Sequence, residues 1–141
     1  MQREIYTPPA GPPDVERPNP DIYAQMADDG IRRMIHSFYE RLYASSISTL
    51  FVDDMHASAD RSADYFVQIL GGPDLYQQKY GHPRLRSRHT HFVITEESRQ
   101  VWMGCFDATL VNASDFGFPE AHMPGFRNFL DAFSRWMVNS V

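Results

Sequence analysis

The sequence lacks several features that mark common classes of protein. It has one cysteine, Cys105, so no disulfide can form within the chain. The opening Met1-Gln2-Arg3-Glu4 leads into no apolar signal segment. Its 13 lysines and arginines against 18 acidic residues give a net charge of -5, without the broad basic face that nucleic acids or anionic membranes require. These absences predict a cytoplasmic protein with no nucleic-acid or membrane partner.

Proline is scarce beyond the first twenty residues. Six of the ten prolines lie in residues 1–20, where they remove backbone donors and favour extended conformations. We therefore expect a proline-rich arm over residues 1–20 and one domain over residues 21–141. A chain of 141 residues can bury about two-thirds of its unfolded surface. The aromatic content of 13% predicts a core of ring surfaces that could also hold a large flat ligand.

Apolar and aromatic residues recur at helical spacing in four segments from Asp21 onward, which predicts an all-α domain. Gly71-Gly72-Pro73 is expected to end the second helix, and Thr95 to cap the third. Asn112 to Gly125 is rich in helix breakers and is expected to be a connection, while His91 to Ile94 has a strand-like alternation. The four stripes are Ile31, Ile35, Phe38, Tyr39 and Leu42; Ser58, Ser62, Tyr65, Phe66 and Ile69; Val101, Trp102, Cys105, Phe106 and Thr109; and Phe126, Phe129, Leu130, Phe133 and Met137.

The segment between the second and third helices carries the clearest functional pattern. Glycines and prolines in residues 71–83 allow little regular structure, and a loop of this length in a compact domain usually has a function. The loop ends in an arginine-rich turn before His89, and Trp102 follows on the next helix. A histidine and a facing N–H donor suit the two sides of a haem iron. On the pattern alone, a histidine satisfied in the core and a zinc site with His82 and His91 are the alternatives.

Residues 65–105 resemble the signature of group II truncated haemoglobins. The shared residues are Gly71-Gly72-Pro73, Tyr76, the run Gly81-His82-Pro83-Arg84-Leu85-Arg86-Ser87-Arg88-His89, Phe92, Ile94 and Trp102. The similarity extends from Asp29 to the C-terminus, and a run of this length is far more specific than an isolated motif. The resemblance implies a globin-like fold, a two-over-two helical sandwich around haem b.

The resemblance also implies roles for residues on both sides of the haem. His89 falls at the proximal position, where a histidine binds the iron through one ring nitrogen. Tyr39 and Trp102 fall at distal positions, where an O–H and an N–H can donate to dioxygen, which carries partial negative charge when bound. For these two rings, ordinary core packing is the alternative. Phe51 aligns with the aromatic wedge that packs against the haem.

The second helix is expected to form the distal wall. Ser58 and Ser62 fall at the two positions nearest the ligand, and Ser62 departs from the larger side chain that the family often has there. Two serines predict a wetter pocket, in which either hydroxyl could donate to the ligand or to water. Serines that face solvent or bond to the backbone are the alternative. Tyr65 and Phe66 are expected to line the haem.

Three arginines precede the proximal histidine: Arg84, Arg86 and Arg88. Haem propionates are carboxylates at the edge of the pocket, and the arginine fork suits them. We expect one or two of the three to pair with propionates and the others to be solvated. Cys105 is expected to pack on a buried helix face rather than to bind the iron.

Together these expectations describe a haem b protein that binds dioxygen and other diatomic gases reversibly at a histidine-ligated iron, as an oxygen carrier does. A haem enzyme that reduces peroxide or oxidises nitric oxide at the same site is the alternative. A gas sensor ranks last because no output domain is attached. The expected partners are the gases, peroxide for the enzyme and a reductase of unknown identity, with the chain a monomer or a homodimer.

Overall fold

The computed structural model describes residues 4–141, and the regular structure in that range is helical, so the predicted all-α fold is confirmed. Helix α1 (Asp21–Tyr43) is interrupted at Ala27, where φ is 56° and ψ is 179°. It packs against α2 (Met55–Ile69) and α5 (Glu96–Leu110), and α6 (Met123–Met137) packs against α5. No helix within residues 4–141 is long and apolar enough to cross a membrane. The helices are α1 (Asp21–Tyr43), α2 (Met55–Ile69), α3 (Leu75–Tyr80), α4 (Leu85–His89), α5 (Glu96–Leu110) and α6 (Met123–Met137), with 3₁₀ turns at Ser48–Leu50, Ala113–Phe116 and Glu120–His122.

Two helix boundaries lie where the local sequence predicts them. The side chain of Thr95 accepts a hydrogen bond from the backbone N–H of Ser98 at 3.1 Å, which caps α5. After α2, Gly71 takes a φ of 108°, a conformation that glycine adopts without a steric penalty. The backbone N–H of Gly72 then donates to the carbonyl of Val67 at 2.8 Å, the six-residue bond of a Schellman motif. Both predicted ends are confirmed.

The core is built around the ring of Phe106, which is 0% exposed. Its centroid lies 4.0 Å from that of Phe38 on α1, 5.7 Å from that of Phe66 on α2 and 5.8 Å from that of Phe126 on α6. One phenylalanine from each of four helices therefore meets at a single point. Such ring pairs add to the stability that burial of apolar area provides.

A buried carboxylate ties α3 to the two long helices before it. Asp64 on α2 is 1% exposed, and it accepts hydrogen bonds from Arg32 at 2.6 Å, from Lys79 at 3.0 Å and from the hydroxyl of Tyr80 at 3.1 Å. Burial favours a raised pKa for this carboxyl group, but the three hydrogen bonds together lower the pKa of Asp64 below its usual value. The charge is therefore retained in the folded protein.

The segment before α6 is more regular than its helix breakers predict. Two 3₁₀ turns occupy part of Asn112 to Gly125, and α6 already begins at Met123. Pro124 thus lies in the first turn of α6, where proline is tolerated because the N–H groups there have no acceptor within the helix. Pro124 and Gly125 therefore belong to α6 rather than to the connection.

The loop before His89 holds more helix than its glycines and prolines predict. It contains α3, which buries Tyr76, and the ring of Tyr76 packs edge-on against Tyr65 at 5.8 Å. The expectation of little regular structure in that loop is therefore wrong, while His89 lies on the short helix α4. His91 to Ile94, where the sequence has a strand-like alternation, forms no strand, and the backbone N–H of Ile94 donates to the side chain of Asn139 at 3.0 Å.

The described part of the proline-rich arm, residues 4–20, lies against the domain without forming a helix. The backbone N–H of Tyr6 donates to the carbonyl of Asn139 at 2.9 Å, and Pro18 is buried. Pro20 lies so close to Gly71 that a Cβ atom there would be 2.6 Å from the Cα of Pro20. Residues 1–3 of the expected arm lie outside the described residues. The arm therefore contacts the end of α2 and the carboxyl-terminal segment.

Candidate functional site

A cavity of about 550 Å³ lies between the helices, a size in the range of cofactor sites. Its walls come from α1 to α6 and from the segments around Phe51 and Phe92. Most of the residues that the sequence assigned to the site line it, whereas Arg84 and Arg86 do not. Those in the lining are Tyr39, Phe51, Ser58, Ser62, Tyr65, Phe66, Arg88, His89 and Trp102.

On one side of the cavity, His89 stands at the end of α4. Its Nδ1 lies 2.6 Å from the carbonyl oxygen of Leu85, one helical turn earlier. Because a carbonyl can only accept, Nδ1 carries the proton and Nε2 has the free lone pair that a metal requires. Burial lowers the pKa of His89, and nearby His91 and Arg61 act in the same direction against the hydrogen bond to Leu85. The ring is therefore neutral at pH 7 and able to bind iron.

Tyr39 on α1 and Trp102 on α5, the two rings that the resemblance assigns to the distal side, also line the cavity. Phe38 packs edge-on against both, with centroid distances of 5.5 Å to Tyr39 and 5.3 Å to Trp102. One core phenylalanine thus fixes the positions of both rings. Burial raises the pKa of Tyr39, with Ser62 hydrogen-bonded to the phenol and opposing the rise. The phenol is therefore protonated and able to donate across the physiological pH range.

The two serines of the distal helix have different surroundings. Ser62 hydrogen-bonds to Tyr39, whereas Ser58 accepts a hydrogen bond from the hydroxyl of Tyr43 at 3.1 Å. The same hydroxyl also lies 2.9 Å from the carbonyl of Asp53. Both serines line the cavity and are half-buried, so they border the site rather than form the core stripe that the spacing predicts. The core face of α2 is instead formed by Ala59, Ala63, Phe66 and Val67.

Aromatic rings form much of the remaining wall. Phe51 lies beside Tyr39 and Tyr43, with centroid distances of 6.1 and 5.2 Å. Tyr65 stacks on Phe133 of α6 at 6.1 Å and meets Phe66 edge-on at 5.5 Å. The cavity is thus bounded by rings from α1, α2 and α6, a lining suited to a flat conjugated ligand.

The three arginines before His89 separate into two groups. Arg88 lines the cavity, and its guanidinium donates to the carbonyls of Pro83, Tyr80 and His82 at 2.7, 2.9 and 3.1 Å. Arg84 is exposed outside the cavity and takes a φ of 39° at the start of α4. Arg86 turns away from the cavity and contacts backbone carbonyls at both ends of the chain.

Arg61 and Phe133 line the cavity, although sequence reasoning did not place them in the site. Arg61 lies three residues after Ser58, on the face of α2 that borders the cavity, and it pairs with Asp53 at 3.1 Å. A charged residue between two predicted pocket positions on one helix face is the signal that could have found it. Phe133 belongs to the apolar stripe of α6, and nothing local separates a core ring from a cavity ring.

The residues present fit haem b on two counts. The cavity is ring-lined and large, and its rim carries the cations of Arg61 and Arg88. His89 has a fixed tautomer that leaves one nitrogen available, and an iron already bound by a porphyrin needs one such protein ligand. Within residues 4–141, no group of three or more His, Cys, Asp or Glu side chains is arranged to hold a metal ion.

Comparisons with known proteins agree with this geometry. A family model described as bacterial-like globin matches residues 21–135. The chain is 33% identical over 84 residues to the group 2 truncated hemoglobin YjbI of Bacillus subtilis (strain 168), which is 59% of this chain and 64% of that protein. The chain thus spans less than two thirds of that curated relative.

Solved structures share this fold over most of the chain. Phosphate-bound Hell's gate globin IV is similar with a TM-score of 0.82 and 30% identity, over 90% of this chain and 79% of that chain. The truncated oxygen-avid haemoglobin from Bacillus subtilis is similar with a TM-score of 0.76 and 29% identity, over 86% of this chain and 99% of that chain.

Proposed function

Because the chain belongs to the bacterial-like globin family, we propose that it is a haem b protein that binds dioxygen and other diatomic gases reversibly. The observation that carries this proposal is that His89 and the donor-bearing rings of Tyr39 and Trp102 line one cavity. Its similarity to group II truncated haemoglobins supports the proposal, and so does its structural similarity to the oxygen-avid haemoglobin of Bacillus subtilis.

Haem b would supply the ferrous iron that binds a diatomic gas. His89 would hold the cofactor through Nε2, while the hydrogen bond from Nδ1–H to Leu85 keeps the ring oriented and raises its basicity. The O–H of Tyr39 and the N–H of Trp102 would offer hydrogen bonds to the gas and so slow its release. Ser62 bonds to the phenol oxygen of Tyr39 and so helps to orient that donor. Phe51, Tyr65 and Phe66 would pack against the porphyrin.

Arg88 and Arg61 are the cations that we assign to the propionates. Arg88 uses three of its five N–H groups on backbone carbonyls, which leaves the two on Nη1 for a carboxylate. Arg61 is half-exposed, and its present partner Asp53 is 56% exposed, so a propionate can replace that partner at small cost. Arg84 and Arg86 serve other contacts and are not needed for this role.

The proposal has a simple spectroscopic test. The purified chain is mixed with haem b and reduced without oxygen, and its absorption is recorded before and after oxygen is admitted. The expected result is a five-coordinate, histidine-ligated ferrous spectrum that converts to a stable oxy form. His89→Ala should lose the histidine-ligated spectrum, whereas His56→Ala, a matched change at an exposed position on α2, should keep it. A wild-type chain that takes up no haem would overturn the proposal.

A haem enzyme that reduces peroxide or oxidises nitric oxide is the second candidate. The polar distal wall favours it, because Tyr39, Trp102 and Ser62 together place three hydrogen-bonding groups at the cavity. Strong donation slows oxygen release, which suits redox chemistry better than transport. Consumption of peroxide or nitric oxide by the haem-loaded chain separates the two functions, because a reversible binder releases its gas unchanged, even if slowly, whereas an enzyme converts its substrate.

The remaining organisation completes the proposal. Residues 4–20 form an arm against the domain, and residues 21–141 form the globin domain that holds the cofactor. The protein works in the cytoplasm, where its one cysteine stays reduced. A reductase returns the iron to the ferrous state, and the chain acts as a monomer or a homodimer. Analytical ultracentrifugation of the haem-loaded chain distinguishes the two assemblies.

A further inference from the structure

The segment after α6 returns to the turn that carries His89. Asn139 is 1% exposed, and its side-chain Nδ2 donates to the carbonyl of His89 at 3.2 Å and to that of Phe92 at 3.0 Å. Its Oδ1 accepts from the backbone N–H of Ile94 at 3.0 Å. Its own backbone N–H donates to the carbonyl of Ile94 at 2.9 Å. A single buried amide thus holds the three carbonyl and N–H groups that lead out of α4.

Arg86 ties the same short helix to the same carboxyl-terminal segment. Its Nη1 donates to the carbonyls of Trp136 and of Val138, the latter at 2.9 Å, and its Nη2 donates to the carbonyl of Tyr6 at 2.8 Å. Tyr6 is joined in turn to the backbone of Asn139. Helix α4 is therefore connected to both ends of the chain.

We infer that Asn139 is a positioning residue for His89, acting through the carbonyl of His89 and the turn that follows it. The inference rests on the proposed function, since it concerns how the imidazole is presented to the haem iron. We call Arg86, Asn139 and the backbone of Tyr6 the terminal clasp. The clasp fixes the rotation of α4 about its axis, and this rotation sets the direction of the His89 ring.

Helix α4 needs such support because it has five residues. A helix of that length is not stable alone, and the carbonyls of its last turn have no partners within the helix. The carbonyl of His89 accepts from the backbone N–H of Phe92 at 3.0 Å and from the side chain of Asn139 at 3.2 Å, and Arg86 anchors the helix three residues earlier. Two fixed points less than one turn apart leave α4 little freedom to rotate. Loss of the contacts at either point should therefore change the orientation of the His89 imidazole.

Asn139→Asp tests the inference. The variant keeps the oxygen that accepts from Ile94 but replaces the donor with an oxygen that faces the carbonyls of His89 and Phe92. Ser140→Ala is the matched control, because Ser140 is adjacent and contacts Ile94 through its backbone N–H, which alanine retains. All chains are loaded with haem b, and the iron–histidine stretching band of the ferrous form is recorded by resonance Raman spectroscopy together with the haem dissociation rate.

The expected result is a shifted or broadened iron–histidine band in Asn139→Asp and haem loss about tenfold faster, the change that a difference of about 1.4 kcal/mol produces. Ser140→Ala should match the wild type in both. If circular dichroism shows that Asn139→Asp does not fold, Asn139→Gln replaces it in the test. Glutamine moves the same amide by one methylene and should shift the iron–histidine band.

Two results would count against the inference, and they differ from failure of the proposed function. A wild-type chain that binds no haem overturns both. A wild-type chain that binds haem, beside a folded Asn139 variant with the same band and the same dissociation rate, overturns the positioning role of Asn139 alone. Unfolding by urea of the haem-free chains identifies a purely structural role, in which stability falls while the band of the loaded variant stays in place.

Discussion

Replacing Trp102 by phenylalanine removes one N–H from the distal wall and keeps an aromatic ring in the same place. The indole packs against Phe38 at 5.3 Å, Phe106 at 5.4 Å and Phe133 at 6.4 Å between centroids, contacts that a phenyl ring largely retains. The change therefore isolates the hydrogen bond that we assign to the bound gas. We expect the oxygen dissociation rate to rise while the cavity stays closed by rings.

The magnitude follows from the type of bond. A net hydrogen bond is worth about 0.5–1.5 kcal/mol between neutral groups and about 1.5–3 kcal/mol when one partner is charged. Dioxygen bound at ferrous iron has partial charge, so a value of about 1.4 kcal/mol is reasonable, which corresponds to a tenfold faster release. The association rate should change less, because the donor acts after the gas has entered.

The assay is stopped-flow mixing of the oxy form with a competing ligand, which reports the dissociation rate directly. Tyr23→Phe is the matched control, since Tyr23 lies outside the cavity lining and the change likewise removes one donor while it keeps an aromatic ring. It should release oxygen at the wild-type rate. An unchanged rate in Trp102→Phe would refute the reasoning and leave Trp102 as a packing residue only.

Three further predictions concern the fold and the rim of the site. Gly71→Ala should destabilise the chain by about 1–3 kcal/mol, because Gly71 has a positive φ and the arm approaches it closely. Gly104→Ala is the control: its Cβ would meet open space, and it should stabilise α5 by up to about 1 kcal/mol. Urea unfolding measures both changes. Asp64→Asn should lower the free energy of unfolding by about 1.5–3 kcal/mol at pH 7. Folding lowers the pKa of Asp64, so the stability that its charge provides is complete above the unfolded pKa of about 3.9. That stability is lost as the pH falls through the folded pKa. A difference in unfolding free energy between wild type and variant that persists in strong acid would contradict this mechanism. Arg88→Gln should speed haem dissociation by up to about fivefold, the change expected from losing one partly exposed ion pair of at most about 1 kcal/mol. Arg84→Gln should leave the haem dissociation rate unchanged. Equal haem dissociation rates for the two variants would reject the assignment of Arg88 to a propionate.

The parts of the fold that the sequence predicts are those fixed over a few residues. Thr95 caps α5 because its acceptor lies three residues away, and Gly71 ends α2 because the turn needs a positive φ at one position. The helical stripes are also local, since a period of 3.6 residues can be read in one segment. The all-α class and the positions of Tyr39, Trp102 and His89 on the cavity wall followed from such signals and from the resemblance.

What the sequence does not predict depends on contacts between distant residues. Which arginine faces the cavity is decided by the turn of α4, where Arg84 takes a φ of 39° and Arg86 contacts carbonyls 50 and 80 residues away. Spacing alone treats Arg84, Arg86 and Arg88 as equivalent. Ser58 and Ser62 are a similar case, because the hydrogen bond of each depends on a tyrosine of α1: Tyr43 for Ser58 and Tyr39 for Ser62. His91 to Ile94 has a strand-like pattern but forms no strand, and the backbone N–H of Ile94 bonds instead to the side chain of Asn139, 45 residues later.

The shortness of α3 and α4 has a thermodynamic consequence. These helices have six and five residues, below the length at which a helix persists in water without tertiary contacts. A cofactor bound at His89 adds to the contacts that keep α4 folded, so haem binding and the folding of this side of the domain are linked equilibria. At a free haem concentration of about 100 times the dissociation constant, the linkage adds about 2.7 kcal/mol to the stability of the folded chain. The thermal midpoint of this protein should therefore rise with haem concentration, and a melting curve becomes a titration of the cofactor.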